Sequence, residues 1–361
     1  MSGNRERILE MIERHAGSAK SAAPVAFGRV LHEPGKILVV PSLGVQGFAF
    51  AFPSIALLRQ RFPRAALHVL ADEAAASVYR DNPLVDGVHV AGGSVSLLGF
   101  RGLLASGRAL AREDLDITLW LDREVDNERR LVVLMAGGKA RVGHGDGSGL
   151  FNCEFRYTGE EAYVPLVQLA LTRRLVRESG GAPPRWRIDE KTMERARQLV
   201  HFWKPRRQDY LFVVDPGRGV AGVGPTPDRL ALIVELLKKT YPCKILLLSD
   251  PGDADAVRQL AEVTKRWEPA EIPQKSFAET TALLAHANLL VSGNTALFHF
   301  AWALGVPALG FFGRGDEDCY VPPAGGTATV IRSTEGIDPK AFLERVDRLL
   351  IGFSREVTAR D

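Results

Sequence analysis

Two groups of residues in this chain could do chemistry: a helix start suited to an anion, and short runs of carboxylates. In Leu289-Leu290-Val291-Ser292-Gly293-Asn294-Thr295-Ala296-Leu297-Phe298-His299 a short apolar run ends in a turn rich in N-cap residues and passes into a helix. A helix start leaves backbone N–H groups unpaired and carries partial positive charge, so Asn294, Thr295 and Ala296 could hold a phosphate. His299 falls about one turn inside that helix, as either a ligand of the site or a half-buried structural histidine. Asp122, Glu124 and Asp126 follow another apolar run. They read either as acid–base groups or as charges of a solvated loop and helix cap. Asp253 and Asp255 follow a third run, as acceptors for ribose hydroxyls or as charges at a helix N-terminus. There is no P-loop pattern, no zinc-ligand cluster and no Gly-x-Ser-x-Gly, so neither a metal nor a cofactor is expected.

These residues need a scaffold, and the chain of 361 residues is long enough for two domains. Strand and helix patterns alternate through both halves, which predicts two doubly wound parallel sheets. In the first half, strands are expected at Lys36 to Pro41, Ala66 to Leu70, Val88 to Val90 and Asp116 to Leu121. A glycine-bearing turn, Ser42 to Phe48, separates the first strand from a helix over Phe50 to Arg61. Gly180-Gly181-Ala182-Pro183-Pro184 is the clearest break. It divides an N-terminal helix and linker (1–30) and a first α/β domain (31–185) from a second α/β domain (186–361). In the second half, strand Tyr210 to Val214 leads into a glycine- and proline-rich turn, Asp215 to Pro227. Ligands of such sheets bind beyond the carboxyl ends of the strands, here in a cleft between facing domains. His144-Gly145-Asp146 reads as a loop lining the acceptor side.

Composition excludes several classes. A net charge of +3 is too small to imply nucleic acid, yet suits anionic substrates or an anionic membrane surface. Three scattered cysteines form no disulfide framework, and the charged start of the chain is no signal peptide, so a cytoplasmic protein is expected.

Ser-Gly-Asn-Thr-Ala-Leu-Phe-His-Phe-Ala, then Ala-Leu-Gly-Val-Pro and Phe-Phe-Gly, resembles the signature of the family 9 glycosyltransferases. These are the ADP-heptose:lipopolysaccharide heptosyltransferases and their relatives. The resemblance runs from about Lys36 to Gly313 and implies a GT-B architecture. It also implies inverting sugar transfer from an ADP-heptose-like nucleotide donor to a glycan or glycolipid acceptor, with peripheral contact at the inner membrane. Thr295 and His299 match the family pattern, while Asn294 and Ala296 stand where it has Asp and Gly. Family members follow Ser-Leu-Gly with an Asp, the presumed base; here Val45 follows Gly44, and counting back from Pro53 selects Gly47 instead. Neither is a carboxylate, which leaves Asp122, Glu124 and Asp126 as candidate bases. Asp215-Pro216-Gly217 looks like the family's His-Pro-Gly, and the phosphate-binding Lys that usually follows it there is missing here. Arg218 and Arg314 are the nearest cations in sequence that could replace it. Two readings follow: a working transferase, or a degenerate relative that binds a nucleotide sugar or acts as a scaffold.

Overall fold

The computed structural model describes residues 27–92, 99–145, 149–156, 162–184, 188–203, 209–217, 225–249, 253–271, 276–313, 318–324, 326–332 and 337–358. The N-terminal amphipathic segment, Arg218, Arg314 and Asp146 lie outside them. The chain divides into two compact units. Unit 1 holds residues 1–160 and 165–184, and unit 2 holds 161–164 and 185–361.

Unit 1 is built on a six-stranded sheet. Its strands are β1 (Lys36–Val40), β2 (Ala66–Ala71), β3 (Gly87–Val90), β4 (Ile117–Trp120), β5 (Ala140–His144) and β6 (Cys153–Phe155). The order is β3-β2-β1-β4-β5-β6 and each pairing is parallel. Unit 2 repeats the plan with β7 (Tyr210–Val214), β8 (Cys243–Leu247), β9 (Ala270–Glu271), β10 (Leu289–Ser292), β11 (Ala308–Phe312) and β12 (Ala328–Arg332). Its order, β12-β11-β10-β7-β8-β9, is the same sequence of steps read from the other edge. In both units the first strand pairs with the second on one side and the fourth on the other, which creates a topological switch point. The central strands read as unbroken apolar runs because helices cover both faces, so successive residues are all buried.

Several elements differ from the sequence expectation. The first long helix runs Gly44–Arg61, starting inside what reads as a loop. Gly44 enters it at φ +74, and Pro53 is accommodated within it. A helix at Glu73–Arg80 has too short an apolar pattern to stand out, yet Asp72 caps it by accepting the Ala75 N–H at 2.9 Å. The edge strand β12 was equally silent in the sequence. The opening unit forms as its pattern implies: β10, a tight turn, the helix Ala296–Leu304 capped by Thr295, and Gly305 closing it at φ +74.

The Gly44–Arg61 helix also settles the meaning of Gly47. A Cβ at that position would stand 2.0 Å from the Ser42 carbonyl oxygen. The helix passes so close to the end of β1 that no side chain fits there. The longer spacing to Pro53 therefore places a close-packed glycine, and no carboxylate, beside the Ser42 turn. Gly47→Ala should destabilise unit 1 by about 1–3 kcal/mol, because the obstructing atom is backbone; a melting temperature equal to wild type would contradict this packing.

Candidate functional site

In unit 2 the switch point lies between β7 and β10, and a buried carboxylate occupies it. Asp215 follows β7 directly and has no exposed surface. Its Oδ2 accepts the Ser292 hydroxyl at 2.8 Å and the Thr295 hydroxyl at 2.5 Å. Its Oδ1 accepts the Gly217 N–H at 2.8 Å, and Ser249, beyond β8, lies near enough to this carboxyl to favour its charged form. Burial pushes the Asp215 pKa up, and these donors pull against that shift. One side chain thus ties together the loops after β7 and β10. The sequence marked this position only as a departure from the family's histidine.

Thr295 has two tasks. Its hydroxyl donates to Asp215 and accepts the Phe298 N–H at 3.4 Å as the N-cap. Asn294, Thr295 and Ala296 are all buried. His299 is fully buried too, and burial depresses its pKa to about 3. It is a neutral imidazole at any working pH. Its Nε2 meets Asn294 Oδ1 at 2.8 Å and its Nδ1 meets the Tyr163 hydroxyl at 2.9 Å. An uncharged amide at 294 matches an uncharged imidazole, whereas a carboxylate there would favour imidazolium in a dry site.

Asp253 lies at the N-cap of the helix Ala254–Thr264 but makes no capping bond. Its carboxylate is turned toward Gly217, where an added Cβ would meet Asp253 Oδ2 and Asp215 Oδ1 at 3.0 Å and Ser249 Oγ at 2.9 Å. A glycine after the first strand and an acid beyond the second, facing each other, is the arrangement of mononucleotide-binding sheets. Asp255 is exposed and forms an ion pair with Arg258 one turn along the same helix.

In unit 1 the equivalent switch point lies between β1 and β4, at Ser42 and Asp122. Asp122 is half-buried, and burial raises its pKa. A hydrogen bond from Ser42, the nearby Arg129 charge and the Arg123 N–H (3.0 Å) oppose the shift. The Gln168 amide, itself buried, donates to Ser42 Oγ at 2.9 Å. Asp126 is the N-cap of the helix Asn127–Ala136, with Oδ1 on the Arg129 N–H at 2.8 Å and Oδ2 on Arg129 Nε at 2.5 Å. That arginine is buried, donates to the Pro41 carbonyl and lies over the Trp120 ring at 5.1 Å. Glu124 is exposed, and its carbonyl accepts the Trp120 indole N–H at 3.1 Å. His144 ends β5 and is buried, which lowers its pKa, as do Arg123 and Arg174. Among the described residues no group of three acidic, histidine or cysteine side chains could hold a metal.

Two parallel sheets of matching order, each with polar groups gathered at its switch point, define a GT-B-like α/β protein. Residues 105–348 match the model of glycosyltransferase family 9 (heptosyltransferase), and the chain belongs to that family. Solved structures agree in fold. The glycosyl transferase family 9 protein of Veillonella parvula superposes with a TM-score of 0.70 at 15% identity, covering 89% of this chain and 98% of that one. Escherichia coli ADP-heptose lps heptosyltransferase II gives 0.66 at 20% identity, covering 88% and 99%. E. coli heptosyltransferase WaaC with ADP-2-deoxy-2-fluoro heptose gives 0.65 at 16%, covering 87% and 99%. No curated protein sequence matches the chain.

Two outcomes follow from these contacts. Asp126→Ala removes a cap and strands a buried arginine, and should cost roughly 2–4 kcal/mol in chemical denaturation. The depressed His299 pKa has a sign that can be worked out. The unfolded state, with histidine near 6.5, binds the proton that the native state refuses. Its contribution is therefore present above pH 6.5 and lost as the pH falls toward about 3. Stability should fall on acidification by about 1.4 kcal/mol per pH unit for this proton, and His299→Gln should make that slope shallower.

Proposed function

We propose that the chain transfers a heptose-like sugar, with inversion, from a nucleotide diphosphate donor to a glycan or glycolipid acceptor. The observation that carries this reading is the pairing of Gly217 with the uncapping Asp253 at the carboxyl ends of β7 and β8. Asp253 takes the ribose hydroxyls, and the missing side chain at Gly217 lets the nucleotide approach the backbone. The N–H groups around Thr295 and Ala296 face the diphosphate charge. Arg218 and Arg314 are the cations of the adjoining segments. The ligands named for the WaaC structures, ADP and ADP-2-deoxy-2-fluoro heptose, support an ADP-linked donor. Among the described residues no helix is long and apolar enough to cross a membrane.

In this reading Asp122 is the base. Burial makes it a stronger proton acceptor than an ordinary carboxylate. It takes the proton of the acceptor hydroxyl as that oxygen bonds to the anomeric carbon. The bond from that carbon to the diphosphate oxygen breaks, and the nucleoside diphosphate leaves with the electron pair. Asp126 is committed to its cap and Arg129, and Glu124 is a solvent-facing alternative.

A second reading has its own observation. Asn294, Thr295 and His299, the residues closest to the family signature, are buried and hydrogen-bonded within unit 2. A chain that kept the fold and lost turnover would look the same at these positions and would act as a nucleotide-sugar-binding or scaffold protein.

Sugar transfer and slow donor hydrolysis should be measured for wild type, Asp122→Asn, Glu124→Gln, Asp126→Asn and Asp253→Ala. Asp122→Asn should lower turnover by ~10²-fold or more with donor affinity intact, whereas Asp253→Ala should weaken donor binding. Turnover indifferent to Asp122→Asn rejects it as the base. Donor binding without transfer or hydrolysis across a broad acceptor panel favours the binding-protein reading.

A further inference from the structure

The chain makes a short visit to unit 2 between two stretches of unit 1. Residues 161–164 belong to unit 2, and residues 165–184, which continue the helix Val164–Val176, belong to unit 1. Tyr163 is the buried side chain of this visit, with 2% of its surface exposed. Its ring packs edge-on against Trp302 at 4.9 Å and lies beside His299 at 5.8 Å. A tyrosine so buried needs a partner for its hydroxyl, and it has one in His299 Nδ1 at 2.9 Å.

The geometry points to Tyr163 as a positioning residue for the loop between β10 and the Ala296–Leu304 helix, acting through His299 on Asn294. The logic is one of proton inventory. A neutral imidazole has one N–H and one acceptor nitrogen. The Tyr163 hydroxyl donates to Nδ1, which leaves the proton on Nε2. Nε2 then donates to Asn294 Oδ1 at 2.8 Å and so decides which end of that amide faces the helix interior. Asn294 lies between the two residues that Asp215 and its neighbours hold, Ser292 and Thr295. The turn is thus pinned twice, once by Asp215 from β7 and once by Tyr163 from outside the Rossmann-like elements of unit 2. The inference rests on the proposed donor site, since it assigns Tyr163 a part in shaping it.

The test uses the full chain with His299 labelled for nitrogen NMR and ADP as the probe. Tyr163→Phe removes only the hydroxyl. Trp302→Phe disturbs the packing around Tyr163 but leaves its hydroxyl in place. In wild type the ring nitrogens of His299 should report the Nε2–H tautomer. Tyr163→Phe should shift them toward a mixture and weaken ADP binding by roughly fivefold, the worth of one neutral hydrogen bond. Trp302→Phe should leave the tautomer and the ADP affinity unchanged, whatever it does to the melting temperature. Unaltered ring shifts in Tyr163→Phe overturn the relay. Altered shifts with unaltered ADP affinity overturn the positioning role. A wild-type chain that binds no ADP overturns the donor-site reading and the positioning role with it, while the ring shifts still decide whether the relay exists.

Discussion

The buried carboxylate of Asp215 is the interaction on which the second unit depends. A carboxyl group with no exposed surface loses its hydration, and only a full set of donors offsets that loss. Here the donors come from Ser292, Thr295 and Gly217, which stand at the ends of two different strands. The desolvation that raises its pKa therefore also makes the loops interdependent. None of them can move without leaving a buried oxygen unpaired. Gly217 and Asp253, the groups proposed to meet a nucleotide, stand beside this carboxyl.

Both units use one topological device twice. A parallel sheet whose first strand is flanked by its second and fourth leaves a crevice at the strand ends. The two crevices are furnished differently. In unit 2 a carboxyl group is buried and shared among hydroxyls, so it serves as a fastener. In unit 1 Asp122 is only half-buried, with Ser42, Gln168 and Arg129 around it, so its carboxylate stays within reach of solvent and proton exchange. Burial raises both pKa values, and the two carboxyl groups differ in their access to solvent.

The departures from the family signature acquire physical reasons. Gly47 is a glycine because the Ser42 carbonyl occupies the space of its Cβ. Asn294 is compatible with a histidine that burial keeps neutral. Val45, half-buried in the first turn of the Gly44–Arg61 helix, supplies no carboxylate, and nothing in the structure explains the choice of valine.

The sequence by itself determined the fold class, the strand–turn–helix at Leu289 to Leu304 and the family. Each of these is written in local pattern: apolar runs of strand length, N-cap and C-cap residues, and a contiguous signature. Asp122, Asp126 and Asp253 were legible as acids beyond strands, but not the fate of each. A cap paired with a buried arginine, a half-buried carboxyl beside a serine and an N-cap acid that makes no capping bond differ only in what the fold places opposite them. Asp215 with Thr295 and Tyr163 with His299 lie 80 and 136 residues apart. No spacing rule reaches so far, because contacts at that range are set by strand order and helix packing. Tertiary structure alone decided that His299 is a dry, neutral link, that Gly47 is a point of contact, and that a buried aspartate holds two loops together.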